Sequence, residues 1–161
     1  MAPADLLQPL EGQREETLRV IDSLTAADLA IGVRGDDWSV HDVLCHLVDR
    51  EIGIDVLIGR ALAGEVVHAS QEERAQVGHA EVGAGSAGWD LERIREELVA
   101  ARERLRQTFL RMQEEDLDLP IRWQEWPART IRTTIPYLLE HEDSHMDELR
   151  DAVEREHRLV P

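Results

Sequence analysis

The chain has 161 residues, a length that suits one domain spanning 1–161 around a single hydrophobic core. Its 42% hydrophobic and 32% charged residues are typical of a folded globular protein. The formal charge of -16 argues against nucleic acid and anionic membranes as partners. A lone cysteine, a start that lacks a secretory-signal pattern, and no apolar run near roughly 18 residues predict a cytoplasmic location.

Two amphipathic helices are predicted in the first part of the chain. Apolar residues recur at helical spacing over Leu6–Leu24, where Pro9 leaves the start of the helix open by one turn. Ser39 followed by Asp42 is a capping-box pattern, which predicts a second helix over Val40–Ala63.

The next segments combine a long connection with the clearest helix of the chain. Gly64 is a plausible stop signal, and residues 65–88 lack periodicity, so we expect a long connection with room for one short helix. Asp90 can cap a third helix, whose apolar stripe runs over Leu91–Met112.

The sequence of the last part of the chain predicts a loop and a fourth helix. Residues 119–134 include tryptophan and proline and indicate an ordered, aromatic-rich loop. Helical spacing returns over Tyr137–Arg155, where Pro136 fits only within the first turn. No convincing β-strand pattern is present, so four helices around one core form the simplest architecture.

The fourth predicted helix contains the pattern H-E-x-x-H. His141 and His145 are one turn apart, ~40° from each other on the helical wheel, so both imidazoles can bind one metal ion. In zinc proteases with this pattern, the residue at the place of Glu142 is the general base. The positions of the metzincin glycine and third ligand hold Glu148 and Asp151 here, so the spacing argues against a protease.

The third ligand of such a site can come from the second helix. His46 lies at the edge of that helix's apolar arc, and bundles build metal sites from inward-edge side chains on facing helices. Three imidazoles with open coordination positions suit Zn, with Ni or Fe as alternatives. The alternative for His46 taken alone is an ordinary hydrogen-bonded core or surface histidine.

The stretch Asp37-Trp-Ser-Val-His-Asp-Val-Leu-Cys-His-Leu-Val48, followed about a hundred residues later by His141-x-x-x-His145, resembles the DinB-like (YfiT-type) superfamily of metal-binding bundles. The resemblance implies an all-α, up-down-down-up four-helix bundle in which His46, His141 and His145 bind a divalent metal. It also implies a role for Trp38 and Ser39 at the start of the second helix. Some members use mycothiol or bacillithiol, and homodimers are common among them.

Several further residues are candidates for chemistry. Glu148 could orient an imidazole or be a solvated carboxylate, whereas Glu142 fits a buried or bridging carboxylate better than a base. Arg50 could bind a substrate carboxylate or pair with an acidic neighbour. Trp123 and Trp126 could form the wall of a cofactor or substrate pocket, or plug one end of the core.

We therefore expect a metal-dependent enzyme that acts on a small molecule. The specific hypothesis is thiol-dependent transfer to a small electrophile, with a low-molecular-weight thiol as cofactor, and it depends on the resemblance. Cys45 fits a small core thiol better than a nucleophile. The alternatives are a metal-dependent hydrolase and a non-enzymatic bundle whose metal is structural or whose surface binds a partner.

Overall fold

The structure, a computed structural model, describes residues 2–33, 38–65, 67–69, 85–123 and 129–159. Within these residues the chain forms four α-helices, which confirms the predicted all-α bundle. They are α1 (Leu7–Ser23), α2 (Val40–Leu62), α3 (Leu91–Leu110) and α4 (Ile131–Leu159). Short 3-10 turns lie between them, and no helix of the described residues is long and apolar enough to span a membrane.

The predicted starts of α2 and α3 are confirmed by their capping bonds. The backbone N–H of Asp42 donates to the Ser39 hydroxyl at 3.2 Å, and the N–H of Ser39 donates to the Asp42 carboxylate at 2.9 Å. The N–H and the hydroxyl of Ser39 both donate to this carboxylate and hold the pKa of Asp42 below its usual value. The carboxylate of Asp90 accepts from the N–H of Arg93 at 2.9 Å and caps α3 in the same way.

The fourth helix begins earlier than its predicted start at Tyr137. It starts at Ile131, so Pro136 lies in the second turn and the prediction that it fits only in the first turn is wrong. Thr130 and Thr133 exchange backbone-to-hydroxyl bonds of 2.9 and 3.4 Å at the start of the helix. These local bonds and the fully buried Ile131 stabilise an early start that the apolar pattern alone does not reveal.

A three-stranded sheet lies where the sequence predicted a connection and a loop. Its strands are β1 (Val67–Ala69), β2 (Pro120–Trp123) and β3 (Arg129–Thr130). The order is β1-β2-β3; β1 pairs with β2 in parallel and β2 pairs with β3 antiparallel. Segments of two to four residues are too short to show an alternating pattern, so the expectation of no strand is wrong.

The helices pack so that α1 and α2 each contact both α3 and α4. Pairs of residues joined by hydrogen bonds or ion pairs show that α2 runs parallel to α3, and α1 runs parallel to α4. The pairs are Glu51 with Arg102 and Asp55 with Thr108 in the first case, and Gln13 with Leu139 and Glu16 with Arg150 in the second. His46 bonded to His141 and Arg50 bonded to Tyr137 show that α2 runs antiparallel to α4.

Among the residues that the structure describes, the apolar core forms two clusters stacked along the bundle. The cluster next to the sheet, called here the sheet-end cluster, includes Leu10, Ile54, Ile58, Leu105, Phe109, Leu117, Ile121 and Ile135. The cluster next to the start of α2, called here the cap-end cluster, includes Ile21, Val43, Leu44, Leu47, Val48, Ile94, Leu98 and Leu149. Burying these side chains supplies the main driving force for packing the helices.

Between the two clusters lies a buried ion network to which each helix contributes one charged residue. Arg14 of α1 and Arg102 of α3 both bond to Glu51 of α2, and both lie 3.1 Å from the carboxylate of Glu142 in α4. The four side chains are at most 6% exposed. Thr17 adds a hydroxyl bond of 2.6 Å to Glu142. Two guanidinium groups thus face two carboxylates, so the network carries no net charge.

Candidate metal centre

Three histidines from two helices meet on one side of the ion network. His46 projects from α2 toward His141 and His145 of α4, and one ring nitrogen of each lies within 4.8 Å of the other two. Their ring centroids are 4.5 to 5.1 Å apart. His145 is buried, whereas the other two are half-buried. The structure therefore brings together the three residues that the sequence predicted as ligands.

The spacing of these nitrogens fits one divalent ion. Two nitrogens bound at about 2.0–2.1 Å to a tetrahedral zinc ion are about 3.4 Å apart. The Nε2 atoms of His46 and His141 are 3.3 Å apart, which is close to this value. A neutral imidazole offers one lone pair, and three of them form a donor set that zinc, nickel and iron accept.

Trp38 contacts two of the three imidazoles from the side of the cap-end cluster. Its ring stacks on His145 with centroids 5.9 Å apart and meets the edge of His46 at 4.8 Å. The backbone fixes Trp38, because the N–H of Val33 donates to its carbonyl at 2.8 Å, just before the capped start of α2. The resemblance implied a role for Trp38 in starting α2, and the structure adds direct contact with two of the three histidines.

An open pocket of about 480 Å³ lies over the imidazoles. Besides Trp38 and the histidines, it is lined by Tyr137, Glu140 and Ser144. The sequence analysis missed these three residues. With the two histidines of α4 they follow the i, i+3, i+4, i+7, i+8 spacing of one helix face, which is the signal that could have identified them.

Glu142 faces the bundle core, ~60° around α4 from His145, and is not among the residues that line the pocket. It is 2% exposed and is held by Arg14, Arg102 and Thr17. A general base must reach the proton that it removes, and this carboxylate faces the ion network. The structure therefore supports the interpretation of Glu142 as a buried carboxylate and gives it no place as the base of a protease.

Glu148 and Arg50 lie at the edges of the site. A carboxylate oxygen of Glu148 is 3.7 Å from Nδ1 of His145, a distance at which it influences the orientation of the ring without a direct hydrogen bond. Arg50 donates to the hydroxyl of Tyr137 at 3.1 Å. The Arg129 guanidinium lies 4.7 Å from the centroid of the Tyr137 ring, so two cations contact this pocket residue.

The remaining candidates lie outside the pocket or outside the described side chains. Cys45 is 7% exposed, and burial raises the pKa of its thiol to about 11. This supports a core thiol and argues against a nucleophile. The backbone of Trp123 belongs to β2, but its side chain and the whole of Trp126 lie outside the part of the chain that the structure describes.

The family model for the DinB superfamily matches residues 9–149. Among solved structures, a mycothiol-dependent maleylpyruvate isomerase is similar, with a TM-score of 0.75 and 15% identity over 92% of this chain and 61% of that chain. A histidine-to-alanine variant of such an isomerase gives a TM-score of 0.75, 14% identity and the same coverage. The chain thus spans less than two thirds of the length of these proteins. No curated protein matches the chain in sequence.

Proposed function

We propose, from the premise that the chain belongs to the DinB superfamily, that it is a metal-dependent enzyme whose His46, His141 and His145 hold one divalent ion. The observation that carries the proposal is the convergence of three ring nitrogens within 4.8 Å beneath an open pocket. A set of three protein ligands leaves a coordination position for an exchangeable molecule, as in catalytic zinc sites.

The finer proposal is that a small thiol enters the pocket and attacks a small electrophile. When bound, a divalent ion acts as a Lewis acid and lowers the pKa of a thiol or water molecule that it contacts. The chain's own Cys45 is a poor source of a thiolate, since burial raises its pKa to about 11. A separate thiol is therefore the better nucleophile, and the mycothiol-dependent isomerases of similar fold support this choice.

Residues of the chain itself can bind and orient the reactants. Trp38 supplies an apolar wall against which a substrate can pack. Glu140 is exposed on the pocket face of α4, so its carboxylate is placed to accept a proton from an entering thiol. The hydroxyls of Tyr137 and Ser144 line the same pocket and can donate hydrogen bonds to a substrate oxygen.

Elemental analysis of the purified protein tests the metal site. We expect about one zinc, nickel or iron ion per chain and its loss in His145→Ala, because two imidazoles hold an ion much less tightly than three. His157→Ala is the matched control, since His157 contacts Asp28 at 2.7 Å and takes no part in the histidine cluster. Full metal content in His145→Ala would contradict the assignment of these ligands.

A conjugation assay tests the thiol hypothesis. The metal-loaded protein is incubated with mycothiol or bacillithiol and a chromogenic electrophile, and product formation is compared with His145→Ala and with a chelated sample. We expect turnover that requires both the metal and the thiol. Turnover of an ester substrate without any thiol would contradict this proposal and indicate a metal-dependent hydrolase. A bound metal that added ligands cannot reach would indicate a structural site.

A further inference from the structure

We propose that the buried ion network positions the metal site, with Glu142 as the positioning residue that connects the two. The proposal rests on the proposed function, since it concerns the same three histidines. Residues of the network and of the site are neighbours along α4. Glu142 of the network directly follows His141 of the site, and His145 lies one turn after His141. The network would thereby set where the two imidazoles of α4 stand relative to α2.

The same two guanidinium groups attach α2 and α4 to each other. Arg14 and Arg102 bond to Glu51, which is five residues after His46 in α2, and both contact Glu142 at 3.1 Å. Both helices that supply histidine ligands are therefore fixed to the same pair of guanidinium groups. The guanidinium groups are fixed in turn, because Arg14 donates to the carbonyl of Leu98 at 2.9 Å and Arg102 donates to that of Leu10.

Apolar packing by itself does not fix the alignment of α2 with α4 as precisely as the ion network does. Contacts between aliphatic side chains are nondirectional, and a slip by one helical turn of about 5.4 Å can preserve many of them. Such a slip exceeds the 4.8 Å within which the three ring nitrogens lie, so it would separate the ligands. Charged hydrogen bonds require a fixed distance and direction, and setting register is the best-attested role of buried polar groups.

The network also decides which carboxylate is kept out of the site. Glu142 accepts bonds from both guanidiniums and from the Thr17 hydroxyl at 2.6 Å, all within the bundle core and outside the pocket lining. A carboxylate free to turn would be a competing ligand beside His141. The same set of contacts therefore positions the two imidazoles of α4 and keeps the Glu142 carboxylate out of the metal site.

The test uses the full chain carrying Arg102→Met together with Glu142→Gln. This double variant leaves Arg14 and Glu51 as a balanced pair but removes the charged contact between α3 and α4. Cobalt(II) is titrated into the metal-free protein, and its visible absorption reports both affinity and coordination geometry. We expect an affinity about 10–100-fold weaker, the range for outer partners of metal ligands, with an altered spectrum.

The matched control is a variant of the sheet-end cluster, Phe109→Leu or Leu105→Ala, chosen for equal loss of stability in urea. We expect its cobalt affinity and spectrum to match those of the unmodified protein, because these residues lie beyond the network from the histidines. Equal loss of affinity in the control and the double variant would show that general destabilisation is the cause, which would overturn the positioning role.

Thr17→Val provides a milder variant if the double variant does not fold. It removes one bond to Glu142 at nearly constant side-chain volume, and we expect a smaller loss of cobalt affinity in the same direction. The imidazole ¹⁵N resonances of the three histidines are also recorded in metal-free protein. We expect them to shift in the network variants and to stay unchanged in the sheet-end control.

The two kinds of failure are distinguishable. An unmodified protein that binds no cobalt contradicts the proposed function, while the ¹⁵N resonances still test whether the network positions the rings. Unmodified protein that binds cobalt, together with unchanged affinity and unchanged resonances in both Thr17→Val and a folded double variant, contradicts the positioning role alone.

Discussion

The histidine site and the buried ion network use neighbouring residues of α2 and α4, yet their polar groups have different surroundings. In the network, two carboxylates face two guanidiniums from the other two helices, and all four side chains are shielded from water. In the site, three groups of one kind, all imidazoles, face one another beneath an open pocket. The charges of the network balance one another within the chain. The site instead presents three imidazole nitrogens, which are donors that a cation can bind.

This difference indicates where stability and function reside. Removing one member of a buried, matched set leaves an uncompensated charge in the core and is strongly destabilising. Removing one of three similar groups beside a pocket leaves no such charge. We therefore expect the network to control folding and register, and the histidines to control ligand binding with little effect on the stability of the metal-free chain.

The largest effect is expected from breaking the network at Glu51. In Glu51→Met, two guanidiniums face the single carboxylate of Glu142, and we expect the free energy of unfolding to fall by about 3–5 kcal/mol. Urea denaturation of metal-free protein measures the loss. Glu103→Gln is the control, because Glu103 pairs with Arg106 on the surface and its removal should change the midpoint little.

Metal removal should have the next largest effect. At a free metal concentration about 100 times its dissociation constant, binding adds about 2.7 kcal/mol to the stability of the folded state, so chelation should remove this amount. His141→Ala should show no response to metal. Its metal-free stability should stay within about 1 kcal/mol of the unmodified protein, as for substitutions outside a packed core. A much less stable metal-free His141→Ala would contradict the division between site and network.

Replacing Trp38 tests how far the aromatic wall contributes to the site. Trp38→Leu removes ring contacts with His46 and His145. Aromatic pairs contribute about 0.5–1.5 kcal/mol, so we expect metal affinity to fall by up to about tenfold. Trp89→Leu is the matched control, since Trp89 also packs on the cap-end cluster but contacts Arg93 instead of the histidines. Equal effects in the two variants would assign the loss to the cluster.

At Cys45, one residue before His46 but inside the core, the expected effect is on the reactivity of the thiol. Burial raises the pKa of its thiol from 9.0 to about 11, so the folded chain should react with iodoacetamide about 100-fold more slowly than the unfolded chain near pH 7. The raised pKa favours the protonated thiol in the folded state. Its contribution to stability is therefore present below about pH 9 and lost as the pH rises toward 11. Rapid labelling of folded protein would show that water reaches this side of α2.

The candidates on α4 show how much of the site could be predicted locally. His141 and His145 share a helix face because of their spacing, and the same wheel would have included Tyr137, Glu140 and Ser144. The same wheel also indicated that Glu142 is buried, whereas the ion network that holds its carboxylate could not be predicted locally. It depends on guanidiniums from α1 and α3, so a motif that resembles a protease signature places its glutamate in the core.

The amino-acid sequence by itself determined the features that depend on bonds between nearby residues. These are the capped starts of α2 and α3, the amphipathic helices and the histidine pair of α4, because capping bonds and helical faces involve residues at most a few positions apart. The early start of α4 is also local, but its threonine bonds give a weaker signal than an apolar stripe.

Only the tertiary structure decided which distant residues meet. His46 and His141 are 95 positions apart, and the family resemblance together with bundle geometry, rather than a local pattern, suggested that they would be neighbours. Arg14 and Arg102 interrupt apolar stripes, which marks them as unusual but does not identify their partners. The pairing of β1 with β2 joins residues that are more than fifty positions apart. Such contacts form when the helices pack, because the free energy that favours them comes from burying the shared core.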